Sequence, residues 1–269
     1  MTLTRSQVSG LLRDHGLAPS RALGQNFLVD PNTARRIVRL AEVLPGDRVV
    51  EIGPGLGSLT LALLDAGAEV IAVELDRRLA AVLADVVQGR CRIVVDDALT
   101  TDLAALAGPS TQVVANLPYN VAVPVVMRLL EAAPWVDRML VMVQAEVAER
   151  IAASAGDDAY GAVSVKVGYY STAKIVGRVP PTVFLPQPKV DSALVALARR
   201  PTVAVDPAIV PEDRLFEVVR TAFSQRRKML RRSLEGVVSQ EAFEAAGVAP
   251  TQRPEELSVE DFGRLARLT

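Results

Sequence analysis

The sequence has very few of the residues that build disulfides and transition-metal sites. Among its 269 residues there is one cysteine, Cys91, and one histidine, His15. A single cysteine excludes both a disulfide within the chain and a metal site built from a cluster of cysteines. With only one histidine beside it, the composition argues against a transition-metal enzyme. We expect a chemistry that uses no metal.

Long apolar runs and an excess of one charge are also missing. No apolar stretch reaches transmembrane length without a break, and the first residues lack the charged and then apolar pattern of a signal peptide. These absences predict a cytoplasmic protein that does not associate with a membrane. The net charge is −1, whereas nucleic-acid-binding proteins more often carry a basic balance. Any RNA-binding surface must therefore come from a local concentration of positive charge.

Apolar sequence is abundant, at 50% of the residues, and supports a sizeable core. The length suits one large domain and a smaller one. Strand-like and helical runs alternate up to about residue 200, where the proline-bearing segment 201–211 follows. We predict an α/β domain over residues 1–200, with an N-terminal arm over 1–30, and a small helical domain over 201–269.

The first strand of this predicted α/β domain, residues 47–52, runs directly into a glycine-rich turn. The turn begins Gly53-Pro54-Gly55-Leu56-Gly57-Ser58 and precedes an apolar helical stretch. Glycines at a strand-to-helix turn permit positive φ and let a ligand approach the backbone, so Gly53 and Gly55 are candidate ligand contacts. Ser58 stands where a dinucleotide fingerprint has its third glycine. That form is typical of S-adenosylmethionine sites.

The next two predicted strands end in acidic residues. Residues 69–73 lead to Glu74, and residues 91–95 lead to Asp96 and Asp97. A carboxylate at the second strand end can accept hydrogen bonds from ribose hydroxyls, which is the role we predict for Glu74. An aspartate at the third strand end can accept from an adenine amine. We assign that role to Asp97 and a turn or capping role to the other aspartate.

The fourth strand ends in a motif suited to hold a purine base. The apolar run Val113–Ala115 is followed by Asn116, Leu117, Pro118 and Tyr119. A carboxamide oxygen and the Leu117 carbonyl can accept both hydrogens of an exocyclic amine, which favours a pyramidal nitrogen with a free lone pair. Pro118 stiffens the turn, and Tyr119 offers a ring face on which a flipped-out base can stack. The alternative is a turn that merely ends a strand.

Two further segments are candidates for the same pocket. Gln25, Asn26 and Leu28 either form a lip over the ligand or belong to a turn that caps the next helix, and composition alone favours the turn. Phe184 precedes Pro186 and Pro188, which make the loop rigid. A stiffly held aromatic ring suits stacking against a flipped base, although such a residue is more often part of a core.

The remaining segments complete the predicted order of elements. Helices are predicted over 124–132 and 145–153, and strands over 138–143, 164–170 and 172–179. Residues 215–234 are predicted as one helix with a basic face that neutralises phosphates or is simply a solvated surface. The basic residues are Arg226, Arg227, Lys228, Arg231 and Arg232.

Taken together, these motifs resemble the rRNA adenine N6-dimethyltransferases, and among them the bacterial small-subunit type. The resemblance covers nearly the whole chain and rests on six motifs in order, Gly24-Gln-Asn-Phe-Leu28, Val50-Glu-Ile-Gly-Pro-Gly-Leu-Gly57, Val73-Glu-Leu-Asp76, Asn116-Leu-Pro-Tyr-Asn120, Phe184-Leu-Pro-Gln-Pro-Lys-Val-Asp-Ser192 and Ala222-Phe-Ser-Gln-Arg-Arg-Lys228. It implies a Rossmann-like methyltransferase sheet followed by a small helical domain.

The resemblance also implies the ligands and their contacts. S-adenosyl-L-methionine would be contacted by Asn26, Leu28, Gly53, Glu74, Asp97 and Asn116. The target adenine would be held by Asn116, Tyr119 and Phe184. The implied substrate is a pair of adjacent adenosines in the hairpin near the 3′ end of 16S rRNA, each methylated twice within the immature small ribosomal subunit.

Three other functions fit parts of the sequence. A large-subunit rRNA methyltransferase of the antibiotic-resistance type shares the catalytic motifs, but the segments 184–192 and 225–228 favour the small-subunit type. A small-molecule methyltransferase has no need of the basic segment. The chain could also act chiefly as a ribosome-assembly factor. We expect it to work as a monomer.

Overall fold

The chain forms an α/β fold, as the alternating pattern predicts. In this computed structural model, residues 2–20, 23–102, 104–106, 108 and 111–269 are described. The strands are β1 (Phe27–Leu28), β2 (Arg48–Ile52), β3 (Glu69–Glu74), β4 (Arg92–Val95), β5 (Thr111–Asn116), β6 (Val136–Gln144), β7 (Ser171–Val179), β8 (Phe184–Leu185) and β9 (Ser192–Arg199).

Helices separate most of these strands, and three short 3-10 turns cover 104–106, 181–183 and 254–256. The α-helices are α1 (Arg5–Asp14), α2 (Pro31–Leu40), α3 (Ser58–Asp65), α4 (Arg77–Val87), α5 (Ala122–Ala132), α6 (Ala145–Ala152), α7 (Ala162–Tyr170), α8 (Glu212–Ser224), α9 (Leu230–Ser233), α10 (Gln240–Ala246) and α11 (Val259–Ala266).

Seven strands form one sheet in the order β4-β3-β2-β5-β6-β9-β7, and β1 pairs separately with β8. Strands β2 to β6 run parallel, and β9 is antiparallel to β6. The strand order reverses direction between β2 and β5, which is the point where open α/β sheets bind ligands beyond the carboxyl ends of the strands. The topology therefore brings the glycine turn after β2 beside the motif that ends β5.

The central strands are buried because helices cover the sheet. Val49 and Val50 of β2 and Val113 and Val114 of β5 are fully buried, which explains their near-continuous apolar sequence. On one face the sheet packs against α2 and α3 in a cluster that includes Ile37 and other buried aliphatic residues. Burial of this apolar surface holds the strand ends of the site in fixed positions.

Helix starts near the strand ends are set by local capping. The carboxylate of Asp30 accepts hydrogen bonds from the backbone N–H groups of Asn32 and Thr33, and Pro31 occupies the first position of α2. Asp76 caps α4 by accepting from the backbone N–H of Arg78 at 2.9 Å. Asp30 and Asp76 thus each cap the helix that follows them.

Two predicted elements were wrong. The segment 164–170 was predicted as a strand from its alternating valines, but it belongs to helix α7. Ser164, in the first turn of that helix, accepts from the backbone N–H of the capping residue Gly161 at 3.0 Å. Val165, Val167 and Tyr169 are buried around the helix. Burial on several sides of the helix outweighs the β propensity of the valines.

The single helix predicted over 215–234 is instead interrupted. Helix α8 ends at Ser224, a turn follows, and α9 starts at Leu230. All side chains from 224 to 229 are exposed. A helix continued through them would bury no apolar residue for more than one turn, and most helical stability in proteins comes from such burial.

The chain divides into two compact units. One comprises residues 1–148 and 174–198, and the other comprises 149–173 and 199–269. The second break lies close to the predicted one at residue 200. The segment 149–173, which contains α7, also falls in the second unit, where α7 contacts α8 and α11. A single boundary placed by composition could not show that residues 149–173 belong to the second unit.

Candidate active site

A cleft lies at the carboxyl ends of β2, β3, β4 and β5 in the first compact unit. Its walls come from four strand ends and from the segment that precedes α2. Eleven residues predicted for the cofactor or the base line it together: Gln25, Asn26, Leu28, Gly53, Gly55, Glu74, Asp97, Asn116, Leu117, Pro118 and Tyr119.

The glycine turn after β2 closes one side of the cleft. Gly53 and Gly55 have positive φ angles of 68° and 58°. A Cβ on Gly53 would lie 3.3 Å from Pro118 Cδ, and one on Gly55 would lie 3.0 Å from the ring of Phe27. Both positions therefore favour glycine for conformation and for space. The close approach to Pro118 joins the glycine turn to the motif at the end of β5.

Glu74 is held in a fixed orientation at the end of β3. Its Oε2 accepts from the backbone N–H of Gly55 at 3.0 Å, and its Oε1 accepts from that of Asp76 at 2.9 Å. Burial raises the pKa of this carboxyl, and the backbone N–H groups oppose that shift. Each oxygen has a further lone pair, so the carboxylate can accept from a pair of hydroxyl groups.

Both aspartates after β4 line the cleft. Asp96 accepts from the backbone N–H of Asp97 at 2.9 Å, and Asp97 accepts from that of Leu99 at 2.8 Å. Each side chain therefore also shapes the turn. The choice of Asp97 over Asp96 as the acceptor for an adenine amine stays a prediction.

Asn116 is oriented by a contact across the cleft. Its Nδ2 donates to the backbone carbonyl of Asn26 at 3.2 Å, and Asn26 in turn donates its own Nδ2 to the carbonyl of Gly24 at 3.2 Å. With the amide nitrogen engaged in this way, Asn116 Oδ1 is the end of the carboxamide left to accept from a ligand. The lip segment thus sets the orientation of the amide.

Tyr119 is held by the strand on the far side of the motif. Its hydroxyl lies 2.6 Å from the Oγ of Ser192, at the start of β9. Burial raises the pKa of the Tyr119 phenol, and the hydrogen bond to Ser192 opposes the shift. The phenol therefore stays neutral, and its contact with Ser192 keeps the ring in a fixed position at the wall of the cleft.

The lip residues contribute in different ways. Gln25 directs its side chain back to its own segment, where Oε1 accepts from the backbone N–H of Ser20 at 2.8 Å. The Leu28 side chain is buried in the core beneath α2, and its carbonyl accepts from Ser58 Oγ. These residues form a wall of the cleft and are therefore more than a capping turn.

Phe184 does not lie in the cleft, contrary to the prediction. Its side chain is fully buried in the cluster between the sheet and α2, together with Leu28 and Leu194. The pairing of β8 with β1 places Phe184 opposite Leu28 and Leu185 opposite Phe27. Successive side chains of a strand point to opposite faces, and for Phe184 that face is the core. Through this strand pairing, the rigid loop holds Phe27 and Leu28 in place.

We expect Phe184→Ala to act on stability before it acts on catalysis. Removing a fully buried phenylalanine should lower the free energy of unfolding by about 3–5 kcal/mol because it leaves a cavity. Urea denaturation followed by circular dichroism measures the loss. Tyr119→Ala is the control, since that ring lines the cleft and should cost less. An F184A variant of unchanged stability that lost activity would restore the stacking role.

Glu51 and Leu75 are among the residues that line the cleft without having been predicted as part of the site. Glu51 follows two valines in β2, and its side chain is almost completely buried. Burial, and to a smaller extent the charge of Glu74, raise the pKa of Glu51 to about 8, while Thr60 opposes the shift. Among the described residues, Glu51 Oε2 has no hydrogen-bond partner. Leu75 is 53% exposed beside Glu74. An acid within an apolar strand and an apolar residue after a strand end could have indicated both.

The predicted phosphate-binding residues lie in the second unit, in the turn 225–229 and in α9. Arg226 donates to the backbone carbonyl of Asp158 at 2.6 Å. Arg232 lies 3.6 Å from Glu235, and both side chains are largely exposed. The exposed basic side chains of this segment are Arg226, Arg227, Lys228, Arg231 and Arg232.

Two features are missing from the part of the chain that the structure describes. No group of three or more His, Cys, Asp or Glu side chains there could hold a metal ion. No helix of the described ranges is both long and apolar enough to cross a bilayer.

The chain is similar to curated bacterial proteins over nearly its whole length. Ribosomal RNA small subunit methyltransferase A of Thermobifida fusca is 49% identical and matches 98% of this chain and 95% of the relative. The protein of the same name from Leifsonia xyli is 50% identical, over 93% of this chain and 92% of the relative.

Solved structures agree on the fold. The 23S rRNA methyltransferase ErmE superimposes with a TM-score of 0.72 at 29% identity, over 90% of this chain and 99% of that one. A dimethyladenosine transferase from Plasmodium falciparum has the same TM-score at 24% identity, over 89% and 95% of the two chains. Residues 19–269 match the family model described as Ribosomal RNA adenine dimethylase. The chain therefore belongs to the ribosomal RNA adenine dimethylase family.

Proposed function

We propose that the protein transfers methyl groups from S-adenosyl-L-methionine to N6 of two adjacent adenosines in the hairpin near the 3′ end of 16S rRNA. Each adenosine is dimethylated, within the immature small ribosomal subunit, in the cytoplasm, by a monomeric enzyme. The observation that carries this proposal is the orientation of Asn116. Its amide nitrogen donates to the Asn26 carbonyl, and its Oδ1 is left as an acceptor in the cleft.

The cleft fits S-adenosylmethionine on the chemistry of its donor and acceptor groups. Glu74 can accept from the ribose hydroxyls, Asp97 from the adenine amine, and the glycine turn lets the ligand touch the backbone. The buried carboxyl of Glu51 lacks a partner of opposite charge among the described residues, and a cationic ligand would provide one. When bound, S-adenosylmethionine supplies an electrophilic methyl group on a sulfonium.

The protein activates the target nitrogen by accepting its hydrogens. The lone pair of an exocyclic adenine amine is delocalised into the ring, so the planar amine is a poor nucleophile. Asn116 Oδ1 and the Leu117 carbonyl accept hydrogen bonds from the two N–H groups of the amine, which favours a pyramidal nitrogen. These acceptors are preorganised by the contact of Asn116 with Asn26 and by the hydrogen bond from the Leu117 N–H to the Met142 carbonyl.

Tyr119 and Pro118 position the base for this step. The Tyr119 ring, held by Ser192, offers a stacking face to a base that has left its helix. Stacking and the amine contacts together fix the angle of approach, and such positioning contributes a large part of the acceleration in transfer reactions. After transfer the nitrogen is positively charged, so its proton can leave to water without a strong base.

The small-subunit substrate is favoured over the large-subunit alternative by sequence. The bacterial relatives named as small-subunit enzymes are 49–50% identical, against 29% for the 23S rRNA enzyme ErmE. A large-subunit substrate nevertheless has the support of that structural match. The two substrates share the same catalytic motif, so only the RNA that accepts methyl groups separates them.

The deciding experiment is methyl transfer from labelled S-adenosylmethionine to unmethylated small subunits, with naked 16S rRNA, large-subunit RNA and adenosine in parallel. We expect N6,N6-dimethyladenosine in the small subunit, identified by mass analysis. Transfer to large-subunit RNA would favour the resistance-type function. Binding of immature subunits without transfer to any of the four would leave an assembly factor as the function.

We expect the exposed basic segment 226–232 to contact phosphates. Reversing Arg226, Arg227 and Arg231 to glutamate should weaken binding to small subunits, most strongly at low salt, because each phosphate contact releases counterions. Filter binding across a salt series measures this. The control is Arg264→Glu in the same unit, a residue paired with Asp261. Because the triple reversal changes the net charge by −6 and the control by −2, an equal loss per reversed residue would assign the effect to net charge.

A further inference from the structure

Helix α2 carries a concentration of positive charge that the proposed chemistry does not use. Arg35 and Arg39 are exposed and Arg36 is partly exposed, while Ala34, Ile37 and Val38 face the core. No acidic residue occurs between residues 31 and 41. The whole chain has a net charge of −1, so this concentration does not follow from a basic composition.

The arrangement is unfavourable for the helix itself. Arg35 and Arg39 are four residues apart, and like charges at that spacing destabilise a helix. Arg35 also lies close to the amino-terminal end of α2, where the helix dipole disfavours a cation. The carboxylate of Asp30 at the start of α2 attracts Arg35, which also donates to Asn32 Oδ1 at 2.7 Å. Among the described residues, no ion pair includes Arg36 or Arg39. An anionic ligand would compensate these charges.

Two further arginines lie beside α2. Arg36 donates to the backbone carbonyl of Arg178 at 2.9 Å, which places Arg178 next to the helix. Arg5 donates to the carbonyls of Thr182 at 2.6 Å and Phe184 at 3.1 Å. Since only the backbone of Arg178 is placed by these contacts, we call Arg5, Arg35, Arg36 and Arg39 the α2 cationic face.

The start of α2 lies close to the cleft. Leu28 lines the cleft, and α2 begins three residues later at Pro31. The backbone N–H of Val29 donates to the Val183 carbonyl at 2.8 Å, so the segment held by Arg5 lies beside the start of α2. Arg35 and Arg39 follow four and eight residues after this start of α2, so RNA that leads away from a base in the cleft along α2 would meet Arg35 first.

We propose that the α2 cationic face binds the phosphate backbone of the RNA that flanks the target base. This inference rests on the proposed function, since it takes RNA as the substrate. All four residues are arginines, whose planar guanidinium groups match phosphate oxygens in pairs. The exposed side chains of α2 are Asn32, Arg35 and Arg39. They include no apolar anchor of the kind that a protein interface needs, so an acidic protein fits this face less well.

The test is the double variant Arg35→Glu/Arg39→Glu, which leaves the backbone contacts of Arg5 and Arg36 in place. The matched control is Arg90→Glu/Arg92→Glu, two exposed arginines at the start of β4, with the same change in net charge. Binding to naked unmethylated 16S rRNA is measured over a salt series. We expect at least about tenfold weaker binding and a slope of log K against log salt that is shallower by about 2, with little change in the control.

Calorimetric binding of S-adenosylmethionine checks that each variant is folded. If the reversal unfolds the protein, Arg35→Gln/Arg39→Gln is used instead, and the same change in slope is expected. Equal losses in both arginine pairs, or unchanged RNA binding, would overturn the proposal. So would a loss confined to assembled subunits with naked RNA unaffected, which would indicate an acidic protein as the occupant.

The two proposals fail in different ways. Wild-type protein that binds RNA through Arg35 and Arg39 but transfers no methyl group would uphold the α2 cationic face and remove the proposed function. Wild-type protein that methylates 16S rRNA, with an unchanged KM for RNA in the Arg35→Glu/Arg39→Glu variant, would do the reverse.

Discussion

Replacing Asn116 with alanine is expected to abolish methyl transfer and to leave S-adenosylmethionine binding measurable. The substitution removes Oδ1, one of two acceptors for the target amine. Removing one preorganised polar contact to a reacting group commonly lowers kcat by about 10²–10³-fold. Single-turnover methylation of small subunits gives the rate, and calorimetry gives the affinity for the cofactor.

The control for this substitution is Asn120→Ala, which removes a second carboxamide that lines the same cleft but has no proposed contact with the amine. Asn116→Ala also removes the donation to the Asn26 carbonyl, so some loss of cofactor affinity is expected through the lip. Turnover within about tenfold of wild type would take Asn116 out of the mechanism. Complete loss of cofactor binding would assign it to the cofactor site instead.

Glu51 is expected to make stability fall as pH rises. The ordinary pKa of a glutamate is 4.5, and in the folded protein burial and the charge of Glu74 raise that of Glu51 to about 8. Between these values the unfolded chain has released the proton and the folded chain has kept it. The stabilisation is therefore complete below about pH 4.5 and is lost as pH rises to about 8, by at most about 5 kcal/mol.

Glu51→Gln mimics the protonated acid at every pH. The variant should match wild type near pH 5 and be more stable than wild type near pH 8.5, when the free energy of unfolding is measured by urea denaturation. Glu69→Gln, an exposed acid on neighbouring β3, is the control and should show no such crossover. Parallel pH profiles for wild type and E51Q would show that Glu51 is ionised in the folded protein.

The same residue predicts proton release on cofactor binding. A cationic ligand beside Glu51 favours its ionised form and lowers its pKa. Calorimetry near pH 7 in buffers of different ionisation enthalpy should therefore detect release of a proton from wild type and none from E51Q. Equal proton release by both proteins would assign it to another group.

Much of the site could be predicted because its residues directly follow strands. Buried parallel strands are near-continuous apolar runs, so the residue at each strand end is visible in the sequence. Gly53, Glu74, Asp97 and Asn116 were found in this way, and the structure brings them to one cleft. Family membership and the α/β fold were confirmed as well.

The failures share one cause, which is that burial depends on distant parts of the chain. Phe184 faces the core because β8 pairs with β1, and nothing within the segment 184–192 reveals that pairing. Glu51 stands out as an acid in an apolar strand, but its burial beside Glu74 follows from the neighbouring strand β3. The valines of 164–170 form a helix because several sides of that segment are covered.

The sequence by itself determined the order of the strand ends, their chemical groups and the family, because those depend on local patterns and covalent order. Only the tertiary structure decided which side chains share the cleft, which amide end of Asn116 is left for a ligand, and that Arg5 of α1 lies near the start of α2. Such placements arise from packing between elements far apart in the chain, where side-chain direction is set by the burial of apolar surface.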